Sequence, residues 1–195
     1  QFARSLGLIS KVTKSYFNAF GDPTVINRED ILSSTMCSNG LIYETNKVLI
    51  PYLFTCVPGR LFFDKRFSTF LYAINASNLL STLTKTDQDV TLFAPSNDQV
   101  DAYGIRYDKE LDKMVQLVDN AWKPMKTEDL TMFVQDHIYK GKITDLSGEG
   151  YLEMASKNYI HYKNNKIEAG RNSASGMISN VLEKDESGMN GVVHI

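Results

Sequence analysis

The residues of this chain that could hold a metal ion or carry redox chemistry are its histidines and cysteines. His137, His161 and His194 lie far apart in the sequence, and Cys37 and Cys56 do not have the spacing of a metal site. The sequence therefore predicts no metal site. A disulfide between the two cysteines is open to a secreted protein, and two buried thiols are the alternative.

Recognisable catalytic motifs are missing from the sequence. It contains no Gly-x-Ser-x-Gly nucleophile elbow, no phosphate-binding Gly-x-x-x-x-Gly-Lys-Ser/Thr loop and no dinucleotide-binding glycine motif. Asp98 could act as a general acid or base only beside a second positioned group, and the sequence offers none. We therefore expect no catalytic residues and no cofactor, and we predict that the protein is not an enzyme.

Composition and charge exclude further classes of function. The 195 residues are 43% hydrophobic and 23% charged, which is typical of a folded protein. With 21 basic and 23 acidic residues, the net charge of −2 gives no positive field for a phosphate backbone, so nucleic acid is not an expected partner. The longest near-continuous apolar run, residues 48–57, is about half of the ~20 residues that a membrane-spanning helix needs, so we predict no transmembrane segment here.

Apolar residues at helical spacing predict three helices, over residues 67–83, 111–118 and 127–140, the last of them ending at Gly141. His137 falls on the apolar face of the last helix. We interpret His137 as a buried residue whose ring nitrogen is hydrogen-bonded to the backbone, and a surface contact with a partner is the alternative.

Strands are predicted between and after these helices. A short buried strand over residues 90–94 stops at Pro95, and the Ser-Asn-Asp run at residues 96–98 is suited to cap the next helix. Helices first and antiparallel strands later indicate an α+β domain rather than a βαβ repeat. The later strands, separated by turn-forming residues, are predicted at 159–163, 166–169 and 177–182.

An internal repeat indicates how the chain is organised. Asn-Gly followed by two aliphatic residues and a ring occurs at Asn39-Gly40 and again at Asn190-Gly191, about one domain length apart. Asn190-Gly191 is a turn dipeptide expected to supply positive φ before a buried strand. The repeat predicts tandem copies of one domain, with the first copy represented only by its tail.

Three segments resemble signatures of the fasciclin-like domain family. Residues 91–98 read TLFAPSND and resemble the first signature, residues 137–143 read HIYKGKI and resemble the central segment, and residues 190–195 read NGVVHI and resemble the second signature. They stand in the family's order, and the resemblance covers about residues 61–195. It implies a fasciclin-like α+β fold, an antiparallel β-sandwich or wedge with several helices packed at one side.

The resemblance also implies how the chain is divided. Residues 1–55 are expected to be the closing part of a preceding fasciclin-like copy plus a linker. Residues 61–195 are expected to form one fasciclin-like domain whose last strand is shortened at Ile195. A shortened strand would leave a sheet edge unpaired, which favours self-association through strand edges.

For function, the resemblance implies a non-catalytic adhesion or interaction module of a secreted or cell-surface protein, outside the cytoplasm. The expected partner is a protein, the extracellular matrix or a surface glycan. The alternative is a module that binds a glycan, a lipid or a small molecule in a pocket between helices and sheet.

The resemblance assigns roles to particular residues. Asp136 stands where the family often has a tyrosine before the histidine, so an integrin site of the animal type is not expected. The candidate partner contacts are Asp136, His137 and Tyr139. The family-motif residues are expected to be mostly structural, and they are Thr91, Phe93, Ala94, Pro95, Asn97, His137, Asn190, Gly191 and His194.

Overall fold

The computed structural model describes residues 15–17, 23–25, 30–48, 52–85, 87–169, 178–185 and 188–195. The chain divides into two units, Gln1–Thr55 and Cys56–Ile195. In the first unit, β1 (Ser15–Phe17) pairs with β2 (Pro23–Val25), β3 (Ile31–Cys37) forms an antiparallel hairpin with β4 (Gly40–Thr45), and a 3₁₀ helix follows at Tyr52–Thr55.

The two cysteines differ in their surroundings. Both are thiols, which is one of the two alternatives left open by the sequence. Cys37 is exposed at the end of β3, so the expectation that both thiols are buried is wrong for this residue. Cys56 is buried in the second unit, with its sulfur 3.7 Å from the carbonyl oxygen of Thr84.

The second unit contains several short helices. Its described helices are α1 (Gly59–Phe62), α2 (Ser68–Ala76), α3 (Leu80–Leu83), α4 (Asn97–Ala102) and α5 (Thr127–Gln135), with a 3₁₀ helix at Lys65–Phe67. Among the described residues, no helix has the length and apolar character required to cross a membrane. The strands are β5 (Val90–Phe93), β6 (Ile105–Asp108), β7 (Lys113–Val118), β8 (Ala121–Pro124), β9 (Ile138–Lys140), β10 (Glu149–Glu153), β11 (Tyr159–Lys163), β12 (Lys166–Ala169), β13 (Ile178–Asn180), β14 (Lys184–Asp185) and β15 (Gly191–His194).

These strands form a central sheet, an outer sheet and a small sheet. The central sheet has the order β14-β15-β5-β9, the outer sheet β10-β11-β12-β13 and the small sheet β6-β7-β8. β15 runs parallel to β5, with Gly191 opposite Val90 and His194 opposite Phe93. The other described pairs are antiparallel. The predicted α+β class is confirmed, and the parallel pair adds a feature that the sequence did not indicate.

The core lies on both faces of β5. Because side chains alternate across a strand, Val90 and Leu92 face the larger apolar cluster beneath the helices, whereas Phe93 faces a smaller cluster packed against the outer sheet. This arrangement fixes β5 between the helices and the outer sheet. The largest buried side chains of the first cluster are Phe67, Phe70, Leu61, Ile74 and Leu83.

The helix predicted over residues 67–83 is divided into α2 and α3. Ser77 ends α2, and Asn78 adopts a left-handed conformation with φ of 57°. Asparagine tolerates this conformation better than most residues, so the chain can turn here while the apolar residues on both sides still reach the core.

The helix predicted over residues 111–118 is wrong, because this segment forms β7. It pairs with β6 on one side and β8 on the other. Asp119 and Asn120, with φ of 54° and 59°, make the two-residue turn that joins β7 to β8. Two consecutive positive φ values characterise the hairpin turns that match the twist of antiparallel strands.

The last predicted helix ends earlier than expected, at Gln135 instead of Gly141. Ile138 begins β9 and lies opposite Leu92 of β5. Residues 138–140 therefore pair with the buried strand β5 instead of continuing the helix α5. As a result, His137 lies in the turn between α5 and β9 and not on the helix.

Candidate functional site

Asn190 joins separate segments of the second unit at the start of β15. Its side-chain oxygen accepts a hydrogen bond from the Val57 amide at 2.9 Å. Its amide nitrogen donates to the carbonyl oxygens of Leu83 at 2.7 Å and Lys85 at 2.8 Å. Asn190 is buried, with 2% of its surface exposed, and these contacts describe a structural residue.

The side chain of Thr91 is hydrogen-bonded to the segment that follows β9 and so connects it to the central sheet. Its buried hydroxyl donates to the carbonyl oxygen of Gly141 at 2.7 Å and accepts from the Ile143 amide at 3.0 Å. Tyr139, a candidate partner contact, is half-buried and packs against the smaller apolar cluster. Its ring also lies beside Gly141, where a Cβ would come within 2.8 Å of the ring.

The cap at the start of α4 differs in part from the prediction. Ser96 is the N-cap, since its hydroxyl accepts from the Gln99 amide at 3.4 Å and its own amide donates to the Gln99 side chain at 2.8 Å. Asn97 instead reaches α2, where its oxygen accepts from the Thr69 amide at 3.0 Å and its nitrogen donates to the Lys65 carbonyl at 3.0 Å. Asn97 therefore fixes the corner by holding the start of a neighbouring helix.

His137 is half-buried between two phenylalanine rings. Its Nδ1 lies 2.7 Å from the carbonyl oxygen of Phe133, and because a carbonyl oxygen only accepts, Nδ1 carries a proton. The ring centroid is 5.2 Å from that of Phe70 and 4.9 Å from that of Phe133. Burial lowers the pKa of His137 below its usual 6.5, although Phe133 and Asp136 act in the other direction. At neutral pH, Nε2 is therefore an acceptor.

The carboxylate of Asp136 is hydrogen-bonded within the chain. It accepts from the Ser156 hydroxyl and from the Asn158 amide nitrogen, the latter at 2.8 Å. Asp136 thereby joins the end of α5 to the turn that precedes β11.

His194 and Phe93, which lie opposite each other in the parallel pair, stack their rings. The centroids are 5.4 Å apart, with an interplanar angle of 19°. Nε2 of His194 donates to the carbonyl oxygen of Ile143, 2.8 Å away. Both side chains are buried, and together they hold the end of the parallel pair against the segment after β9.

A cleft of about 1340 Å³ is lined by the ends of β5 and β15, by α4 and α5, and by strands of the outer sheet. We call this concave surface the cleft. The predicted residues that line it are Phe93, Ala94, Pro95, Asp136, His137 and His194. The structure places Thr91, Asn97, Tyr139, Asn190 and Gly191 outside its lining.

Several residues of the cleft were not identified from the sequence. They are large apolar side chains that remain exposed, from 51% for Met132 to 73% for Leu182. The alternation of Glu149, Tyr151 and Glu153 could have indicated one of them, since it puts the tyrosine on the charged face of β10. The complete set is Tyr103, Met132, Tyr151, Tyr159, Ile178 and Leu182.

The cleft offers apolar side chains and hydrogen-bonding groups to an occupant. Asp136 and His137 are neighbours, yet the carboxylate is held by Ser156 and Asn158, and the ring is held by Phe133. In the part of the chain that the structure describes, no three His, Cys, Asp or Glu side chains are grouped to hold a metal ion.

The burial of His137 predicts a pH-dependent stability. Below about pH 6.5 the unfolded chain takes up a proton at this residue before the folded chain does, so the free energy of unfolding should fall as the pH is lowered from 7 to 5. Replacing His137 with glutamine should reduce this fall. Urea unfolding of both proteins at pH 7, 6 and 5 measures the difference, and parallel profiles would contradict the prediction.

The Fasciclin domain model matches residues 65–195. A solved structure of a FAS1 domain pair from the insect cell adhesion molecule fasciclin I is 19% identical to the chain, with a TM-score of 0.44. The alignment covers 89% of this chain and 58% of that one. The comparison with curated protein sequences gave no match.

Proposed function

The chain belongs to the Fasciclin domain family, and on that premise we propose that it is a non-catalytic adhesion or interaction module of a secreted or cell-surface protein. The family is associated with cell adhesion, and its domains occur in extracellular or cell-surface proteins. The partner we propose is a protein, the extracellular matrix or a surface glycan.

The observation that supports this proposal is the apolar surface exposed in the cleft. Met132 on α5 and Ile178 on β13 are 51% and 58% exposed, although they belong to separate elements that line the same concavity. Contiguous exposed apolar surface with polar residues around it is characteristic of interaction sites. We therefore assign partner binding to the exposed apolar residues of the cleft.

Binding of a small ligand in the same cleft is the second candidate function. His137 and Asp136 bring polar groups to an apolar concavity, as in many ligand sites. However, pockets for small molecules usually bury most of the ligand surface, whereas Met132 and Ile178 are more than half exposed. This exposure favours a macromolecular partner.

Adhesion of cells of the source organism to surfaces coated with the protein tests the proposed function. We expect the wild-type protein to retain cells and Met132→Lys to retain several-fold fewer, because a charge in the apolar cleft opposes desolvation. The matched control is Leu111→Lys, since Leu111 is 52% exposed and lies outside the cleft lining. Circular dichroism and the melting temperature confirm that each variant is folded.

Two results would contradict the proposed function. One is the absence of cell or matrix retention by the wild-type protein. The other is saturable turnover of a small substrate that a single substitution abolishes.

We further propose that residues 1–55 are the closing part of a preceding fasciclin-like copy. Support comes from the β3–β4 hairpin, whose turn contains Asn39 and whose second strand starts at Gly40. Self-association through an open edge of β15 receives no such support, because β15 lies between β14 and β5.

A further inference from the structure

The shape of the cleft favours an elongated occupant. Apolar side chains line it from the helices, with Tyr103 and Met132, and from the outer sheet, with Tyr159 and Ile178. These residues belong to four different elements or their ends, so an occupant that contacts all of them must extend along the cleft. A segment of polypeptide meets this requirement better than a compact ligand.

The charges in the cleft favour a cationic occupant. Its lining includes the carboxylates of Asp129, Asp136 and Glu168 and a single ammonium group, that of Lys157. The Lys157 ammonium is paired with Glu153 at 2.8 Å. Glu168 lies 2.5 Å from Nδ1 of His161, and Asp136 accepts hydrogen bonds from Ser156 and Asn158. The lining therefore carries three carboxylates against one ammonium group. Complementarity therefore disfavours fatty acids, phospholipids and acidic glycans, and it favours lysine or arginine side chains.

The outer sheet presents a strand at the cleft that an extended segment could pair with. β13 is the last strand in the order β10-β11-β12-β13, so among the described strands it has a neighbour on one side only. Its three residues, Ile178, Ser179 and Asn180, all line the cleft and are exposed. Addition of a strand to such an edge is a common way in which domains bind peptides.

We propose that the cleft binds an extended segment of a partner protein in which apolar side chains alternate with lysine or arginine, added as a strand along β13. This inference rests on the proposed function and specifies its partner as a protein. Alternation suits it, because Ile178 lies opposite Glu168 on one face of the outer sheet and Ser179 lies opposite Ile167 on the other. One face of an added strand can therefore carry its charges toward Glu168, while the other carries apolar side chains toward Ile167.

Fluorescence anisotropy with defined peptides tests the inference. The probe is fluorescein-labelled Lys-Val-Lys-Leu-Lys-Val-amide, added to the full chain at low ionic strength. We expect binding at least tenfold tighter than that of a peptide with glutamate in place of lysine, and of one with serine in place of valine and leucine. Methylation of alternate amide nitrogens should also weaken binding at least tenfold, because it removes the donors needed for strand pairing.

Variants locate the binding site. The double variant Met132→Ser with Ile178→Ser should lose at least tenfold in affinity for the probe, and Asp129→Asn should lose several-fold. Leu111→Ser is the matched control, with an exposed apolar residue replaced outside the cleft lining, and it should bind as the wild type does.

The opposite results would overturn the inference. These are equal binding of the glutamate peptide, unchanged binding by the cleft variants, or displacement of the probe by dodecanoate or by the neutral glycan cellohexaose. If wild-type protein retains cells while the probe does not bind, the inference fails and the proposed function stands. If wild-type protein retains no cells, the proposed function itself fails.

Discussion

Replacement of Gly191 with alanine is expected to destabilise the second unit by about 4 kcal/mol or more, which ranks among the largest effects of single substitutions. Gly191 has φ of 153° and lies opposite Val90 in the parallel pair. A Cβ at this position would come within 1.7 Å of the Val90 carbonyl oxygen and 2.7 Å of its carbonyl carbon. Because both are backbone atoms of a buried strand, they cannot move aside without disrupting the sheet.

Thermal and urea unfolding measure this effect. A loss of that size should lower the melting temperature by roughly 10 °C or more in a protein of this length. Gly148→Ala is the matched control, because a Cβ there would meet no atom within 4 Å. If the two alanine variants unfold alike, the close approach of β15 to β5 is not as described.

Replacement of Asn190 with alanine is expected to cost about 3 kcal/mol or more. The substitution leaves the Val57 amide without its acceptor and the carbonyl oxygens of Leu83 and Lys85 without their donor. Each buried polar group that loses its partner costs about 1–3 kcal/mol. Urea unfolding gives the value, with the exposed Asn180→Ala as the control, for which we expect a change within about 0.5 kcal/mol.

Asn190→Asp separates the hydrogen bonds from the shape of the side chain. The aspartate keeps the acceptor for Val57 but, when ionised, faces the carbonyl oxygens of Leu83 and Lys85 without a proton to donate. Its pKa should be raised in the folded state, so its deficit relative to the wild type should be larger at pH 7 than at pH 4. A deficit independent of pH would show that packing, and not hydrogen bonding, is what Asn190 contributes.

The α+β class and the buried strand β5 could be predicted because their signals are local. Residues 90–94 are apolar apart from Thr91 and are followed by Pro95, and the structure has the strand at Val90–Phe93. The segment at residues 111–118 was misassigned because Met114, Val115 and Val118 also fit helical spacing, and the decisive factor is pairing with β6 and β8. Strand pairing, even between neighbouring segments, is not encoded in periodicity.

Residues of the cleft lining could be predicted from the sequence only where they belong to a family motif. Asp136 and His137 were identified as candidate contacts, and both line the cleft. Met132 and Ile178 could not be identified, because an exposed apolar residue has the same sequence signal as a buried one. Only the packing of α5 and β13 against their neighbours decides which apolar residues are left exposed.

The parallel pairing of β5 with β15 also has a consequence for how the second unit folds. β5 is the first described strand of the unit, whereas its partner β15 is the last, so the strands β6 to β14 lie between them in the sequence. Contacts between such distant segments close a long loop and slow folding. During synthesis, residues 188–195 must therefore leave the ribosome before β15 can pair with β5. Until then, the edge of the apolar strand β5 that pairs with β15 remains unpaired.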